Sequence, residues 1–302
     1  MIALSSGCRD AEKVAADAGR EAGGTDSSAP PTTTASAASS TTASAMASSA
    51  AIHAPPTGGC RIMTSEGGPA ATADATAWLD LPARSSFTVR TLETGRELRF
   101  EGPGRVRPCG SDVALVAEGS AVGLPGSGEA PGAEQWAATA CGVARWASGV
   151  HRFSGGRDAC KLQSSVGTVN LYLAPDVTAE EIVDGGAPAG DAGRPAGPWR
   201  RIDVRQALRL QARGPLDAPA AVKGALAACE RAALDVQSLS ARMTQPEGGA
   251  GNTGELAAES VGARGVARAA CAVAAVRVAL GGARAEDLAR LEAASARWRA
   301  PR

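Results

Sequence analysis

Phe87-Thr88-Val89-Arg90-Thr91-Leu92-Glu93-Thr94-Gly95-Arg96-Glu97-Leu98-Arg99-Phe100 decides the fold class of this chain. Phe87, Val89 and Thr91 fall on one face of an extended segment, and Leu98 and Phe100 alternate on the way back. Between them Glu93-Thr94-Gly95 turns the chain. A side-chain period of two on both sides of a Gly-containing turn reads as paired strands. A helix would need apolar residues at three- and four-residue spacing. Working outward, Trp78-Leu79-Asp80-Leu81 leads into the pair, and Gly102-Pro103-Gly104 reads as the break that ends its second strand. Val106 then leads to Cys109, 113–117 is a nearly continuous apolar strand, and Val122 and Leu124 follow Gly119.

Short strands continue downstream. After a Gly- and Pro-rich loop at 125–132 come Gln135-Trp136-Ala137-Ala138-Thr139, then 143–146, 150–153, a Gly155-Gly156 turn, 159–162 and 168–173. Strands this short and this close imply a sandwich, a jelly roll or a β-solenoid-like sheet pair, not a βαβ fold. Residues 185–197 form a Gly-, Ala- and Pro-rich linker. A short β-hairpin is expected next, with Trp199 and Ile202 on one arm and Leu208 and Leu210 on the other.

From Asp217, read as an N-cap, the period becomes helical: Val222, Leu226, Cys229, Ala233 and Val236 recur at three and four residues. Residues 246–254 break that helix, and Thr253 caps the next, which runs to about Leu280. It carries Ala263, Ala267, Ala270, Cys271, Ala274 and Val278 on one stripe. Gly281-Gly282 ends it, and a short helix over 284–298 pairs Glu286 with Arg290 at i and i+4.

The same residues carry a family resemblance. The run Arg96-Glu97-Leu98-Arg99-Phe100-Glu101-Gly102-Pro103-Gly104-Arg105-Val106 resembles the strand–turn repeat of FecR-like domains of the bacterial cell envelope. Val113-Ala114-Leu115-Val116-Ala117-Glu118-Gly119 is similar to that family's valine strand followed by Gly. Pro131-Gly132-Ala133-Glu134, with Thr139 and Gly142, resembles the segment before its Thr-Pro-x-Gly turn, where this chain has Ala140-Cys141. Val166-Gly167-Thr168-Val169 resembles its closing strand. The resemblance covers about residues 76–175 and implies an envelope β-domain without a defined activity.

The amino end says where the protein works. Leu4-Ser5-Ser6-Gly7-Cys8 resembles the cleavage box of a bacterial prolipoprotein, in which the Cys is lipidated and becomes the new amino terminus. Residues 27–51 are almost wholly Ser, Thr, Ala and Pro, a composition that cannot offset its ordering entropy by burial. A disordered tether of about fifty residues spans on the order of 40 Å. The competing reading is a cytosolic protein with a ragged amino terminus. Cysteine arithmetic favours export: with Cys8 given to lipid, six remain, Cys60, Cys109, Cys141, Cys160, Cys229 and Cys271. Six cysteines allow fifteen connectivities. Local organisation suggests Cys229–Cys271 in the helical part, with Cys60–Cys109 and Cys141–Cys160 in the β part; buried free thiols are the alternative.

Composition narrows the function. Lys plus Arg and Asp plus Glu balance at 31 each, so nucleic acid is not an expected partner. No apolar run of eighteen residues occurs, so no membrane-spanning helix is expected. No Cys pair has metal-site spacing, and neither a Gly-x-Ser-x-Gly elbow nor a phosphate loop is present. His53 lies in the spacer, and His151 reads as a satisfied or surface histidine. Ser127 lies in a flexible loop, and Glu180-Glu181 reads as a solvated pair. The run Arg200, Arg201, Arg205, Arg209 and Arg213 reads as a solvated face in preference to a contact surface for lipid headgroups or an acidic polymer. Trp78, Trp136, Trp146 and Trp199 read as core anchors in preference to a carbohydrate-stacking platform, because aromatics are only 3% of the chain and placing them on the surface would leave little core.

Taken together, the expected protein is mainly β with a carboxyl-terminal helical hairpin module. Its parts are a signal remnant and tether (1–58), a FecR-like β-domain (59–184), a linker (185–197), and a β-hairpin plus helices (198–302). No catalytic, cofactor or metal residues are assigned. The expected function is that of a non-catalytic envelope lipoprotein facing the periplasm or exterior, whose β-domain binds or senses an envelope protein or polymer. The alternative is an assembly component docking through its helices.

Overall fold

The hairpin read at 87–100 is the seed of a curled, thirteen-stranded sheet carrying three helices. A computed structural model describes residues 59–70, 72–92, 94–110, 113–124, 134–182, 198–202, 206–244 and 253–299. Cys8, His53, Ser127, Arg205 and the linker read at 185–197 lie outside the described residues.

The first five strands are β1 (Cys60–Glu66), β2 (Leu79–Leu81), β3 (Ser86–Thr91), β4 (Glu97–Gly110) and β5 (Val113–Leu124). In β3 and β4 the alternation puts Phe87, Val89, Leu98 and Phe100 inside. Phe87 and Phe100 are direct cross-strand partners whose rings stack with centroids 5.1 Å apart. Gly102-Pro103-Gly104 does not end the strand. β4 is a single fourteen-residue strand, and the glycines bend it. Its pairing with β5 slips between Glu101 and Arg105, opposite Glu118 and Gly119. A Cβ on Gly104 would overlap the Glu118 carbonyl, and Gly119 takes φ +96 close under the Glu101 carbonyl. Both strands therefore fold over together, and the Cys60–Cys109 pair, with Cα atoms 6.1 Å apart, joins β1 to the far end of β4.

The strand β5 is the branch point. Its second half pairs with β8 (Val150–Gly155), starting an arm that continues through β9 (Ala159–Val166) and β13 (Ala207–Ala212) to β11 (Val177–Glu181). Its first half pairs in parallel with β6 (Gln135–Thr139), and this arm continues through β7 (Gly142–Trp146) and β10 (Val169–Leu173) to β12 (Trp199–Ile202). The hairpin expected from Trp199 to Leu210 is thus not formed. Both strands exist, but β12 ends one arm and β13 is interior to the other. The Cys141–Cys160 pair ties the β6–β7 turn of one arm to β9 of the other, with Cα atoms 6.1 Å apart. Phe153, Leu162, Leu208, Leu210, Leu171 and Ile202 are wholly buried in these arms.

Helices α1 (Pro219–Thr244), α2 (Thr253–Leu280) and α3 (Ala285–Arg299) complete the fold. Pro219 occupies the first helical position, where its missing N–H costs nothing, and Ala218 accepts the first turn's bond from Val222 N–H. Asp217 instead faces Arg157 at 3.7 Å. At the end of α2, Gly282 at φ +92 allows Ala283 N–H to reach back to the Val278 carbonyl, closing the helix as a Schellman turn.

Helix α2 packs against β5, β6 and β7 as well as against α1 and α3. From Ala267 to Ala279 it is therefore buried on nearly every side, not along a single stripe. Cys229 of α1 and Cys271 of α2 form the third pair, with Cα atoms only 4.5 Å apart. Arg290 of α3 pairs with Glu230 of α1 through two bonds of 2.9 Å, in place of the expected Glu286. One hydrophobic core runs from Ile62 to Trp298.

Candidate functional site

Two buried polar systems and an open groove stand out among the described residues. The deepest polar system is Arg277, alone among Ala and Val on α2 and 1% exposed. Its Nε donates to the Ala140 carbonyl at 2.8 Å, and its two Nη groups each donate to one oxygen of Asp176 at 2.8 Å. Nη1 also donates to the Ala221 carbonyl at 3.2 Å. One side chain thus fastens α2 to the β6–β7 turn, to the loop before β11 and to α1. Burial pushes the Asp176 carboxyl up, but the hydrogen bonds and charge of Arg277 outweigh it, and the group titrates below the usual carboxylate range. Four of its five N–H donors are thus spent on the protein itself, which is how a fastener is built.

The second system surrounds His151, which is wholly buried. Its Nε2 lies 3.1 Å from the Ser148 carbonyl and must carry the proton there. Its Nδ1 is then an acceptor 3.1 Å from Ser164 Oγ, whose single proton is contested by the Gly167 carbonyl at the same 3.1 Å. This is a base beside a hydroxyl, the geometry of an activated nucleophile. Ser164 is 1% exposed, however, and the ring leans on Trp146, so no substrate reaches the pair. Burial holds the imidazole below its ordinary value. Among the described residues, no group of three or more His, Cys, Asp or Glu could hold a metal ion.

The groove lies where β12 begins. It has a volume of about 610 Å³ and runs between Trp199, the carboxyl-terminal half of α1 and the amino-terminal half of α2. The four tryptophans read as core anchors separate here. Trp136 and Trp146 are buried, whereas Trp78 and Trp199 are half-exposed, and Trp199 forms the apolar wall of the groove.

A stack of side chains sets the position of that wall. The Arg145 guanidinium lies 4.4 Å from the Trp199 ring centroid, the Trp136 ring meets it edge-on at 5.5 Å, and Tyr172 lies at 5.8 Å. Arg268 of α2 caps Trp136 at 4.8 Å. Asp235, Ser238 and Arg242 of α1 line the groove across from Glu259 of α2, and at Gly262 a Cβ would meet nothing, so the floor is open. An apolar platform bordered by two carboxylates, a hydroxyl and a guanidinium suits a small ligand with one flat apolar face and several polar groups.

The remaining sequence-selected residues do not converge. Arg200 and Arg201 lie on β12 and Arg209 on β13, so the arginine run is divided between the two arms. Glu180 is exposed, while Glu181 accepts from Gln206 at 3.3 Å. The six cysteines pair with one another as three bonds. No helix among the described residues is long and apolar enough to cross a membrane. No family model, no curated protein and no solved structure matches the chain.

Proposed function

We propose that this chain is an exported, non-catalytic binding protein of the bacterial cell envelope, and that its ligand is a saccharide seated on Trp199. The observation that carries the reading is the groove. Trp199 is held from behind by Arg145, Trp136 and Tyr172, so its platform is organised before any ligand arrives. A pyranose ring has C–H faces that pack on such a platform, and its hydroxyls can pair with Asp235, Glu259, Ser238 and Arg242. Titrating the folded chain with muropeptide and lipopolysaccharide oligosaccharides should change tryptophan fluorescence saturably. Trp199→Ala should abolish the change, and Trp78→Ala should leave it intact. A response that survives Trp199→Ala rejects the site.

Anchorage through lipid at Cys8, with the following spacer as tether, belongs to the same proposal. It is supported by the mutual pairing of the other six cysteines, which leaves Cys8 as the odd thiol. The FecR-like reading of residues 76–175 stays with this proposal, supported by the motifs alone. Labelled palmitate should enter the protein expressed in a bacterial host from its full reading frame and should be lost in Cys8→Ala. Equal labelling of the two would rule out this anchor.

A further inference from the structure

The outward face of β4, β5, β8, β9 and β13 carries one cross-strand row, Glu101–Ser120–Ser154–Lys161–Arg209, continued by Glu180 on β11. Lys161 and Arg209 are directly opposite each other and exposed. Like charges in that position destabilise a sheet. On the same face other cations have a carboxylate: Arg90 pairs with Glu97, and both Arg99 and Arg152 reach Glu101. Among the described residues neither Lys161 nor Arg209 forms an ion pair, and Glu180, opposite Arg209 in register, does not close onto it.

The two cations, with Ser154, line a pocket of about 330 Å³. Ile182 supplies an apolar flank. From this geometry we infer a second binding site, independent of the groove at Trp199, that takes a phosphate group. Three adjacent strands offer a hydroxyl donor, an ammonium and a planar guanidinium fork side by side. A tetrahedral oxyanion has an oxygen for each, and its charge removes the repulsion between the cations. The apolar flank at Ile182 suits the organic part of a phosphate ester.

The test uses the folded, oxidised full chain and two probes. Inorganic phosphate is titrated while backbone amide shifts are followed by NMR. In parallel, sedimentation measures binding to phosphatidylcholine vesicles with and without phosphatidylglycerol. Shifts confined to β8, β9 and β13 are expected for free phosphate, and binding only to the anionic vesicles is expected for a headgroup. Lys161→Gln and Arg209→Gln should each weaken whichever binding is seen roughly tenfold.

Glu180→Gln should strengthen it about twofold to fivefold by removing a competing carboxylate. Arg99→Gln, on the same face, should leave it unchanged. In phosphate-free buffer Lys161→Gln should raise the melting temperature, since it removes the like-charge contact. The site is overturned if neither probe binds, or if Arg99→Gln weakens binding as much as Lys161→Gln does.

Discussion

Strands β3 to β5 are held by large side chains meeting across a sheet and by glycines that let the backbone fold over itself. Helix α2 is held by almost none of the former. Its buried apolar residues are Ala, Val and one Cys, each burying less area than a Phe, and it sits among three neighbouring layers on two specific fasteners. These are the Cys229–Cys271 bond and the bridge from Arg277 to Asp176. In the first region stability is spread over many contacts, and in the second it is concentrated in few. A concentrated arrangement fails by losing a partner, a distributed one by losing volume.

The largest effects should follow that division. Phe100→Ala removes a wholly buried ring stacked on Phe87 and should cost about 3–5 kcal/mol of unfolding free energy. Asp176→Ala removes only a half-exposed carboxylate, yet it leaves Arg277 charged and buried, and should cost about 3 kcal/mol or more. The two losses differ in how they can be repaired. Adding Arg277→Met to Asp176→Ala should recover part of the loss, because the orphaned charge is gone. Recovery is partial because the Ala140 and Ala221 carbonyls lose their donor. Urea unfolding of the single and double variants decides this. If the double variant is no more stable than Asp176→Ala, the bridge is not what fastens α2.

The same contrast explains what could be read from sequence. Phe87, Val89, Leu98 and Phe100 announce their strands because alternation is local, and the helices follow from their own spacing and punctuation. Cysteine pairing was approachable because each pair lies within one local region of the chain. The bend at Gly102-Pro103-Gly104 reads as a break because only the partner strand, with Gly119 opposite, keeps β4 continuous. The partners of β12 and β13 are set by strands far away in sequence, so adjacency misleads.

Trp199 becomes a groove wall only when α1 and α2 arrive beside it. Arg277 did leave a signal, as the single charge between Ala269 and Leu280. A lone guanidinium in so apolar a run demands a buried acceptor.

The smallest effect is on pH dependence, and it separates the two regions in order of titration. His151 lies in the sheet, and burial holds its imidazole below the unfolded value near 6.5. As pH falls past about 6.5 the unfolded chain takes up this proton before the folded one does. The contribution of His151 is therefore complete above that pH and is lost as pH falls toward the folded value. In the helical layer Asp176 and Glu230 are both held low, Asp176 by Arg277 against its own burial and Glu230 by its bonds to Arg290. Their contributions are complete above the unfolded carboxylate range near 4 and are lost only as pH falls through the folded values.

Acid should thus weaken the fold in two stages. The urea midpoint should decline below about pH 6.5, and decline again below about pH 4. His151→Gln, which can keep a donor toward Ser148, should flatten the first stage and leave the second. A midpoint that is level from neutral pH to about 5 in the unaltered chain, or a first stage that persists in His151→Gln, would show that the buried imidazole does not set the acid sensitivity of the sheet.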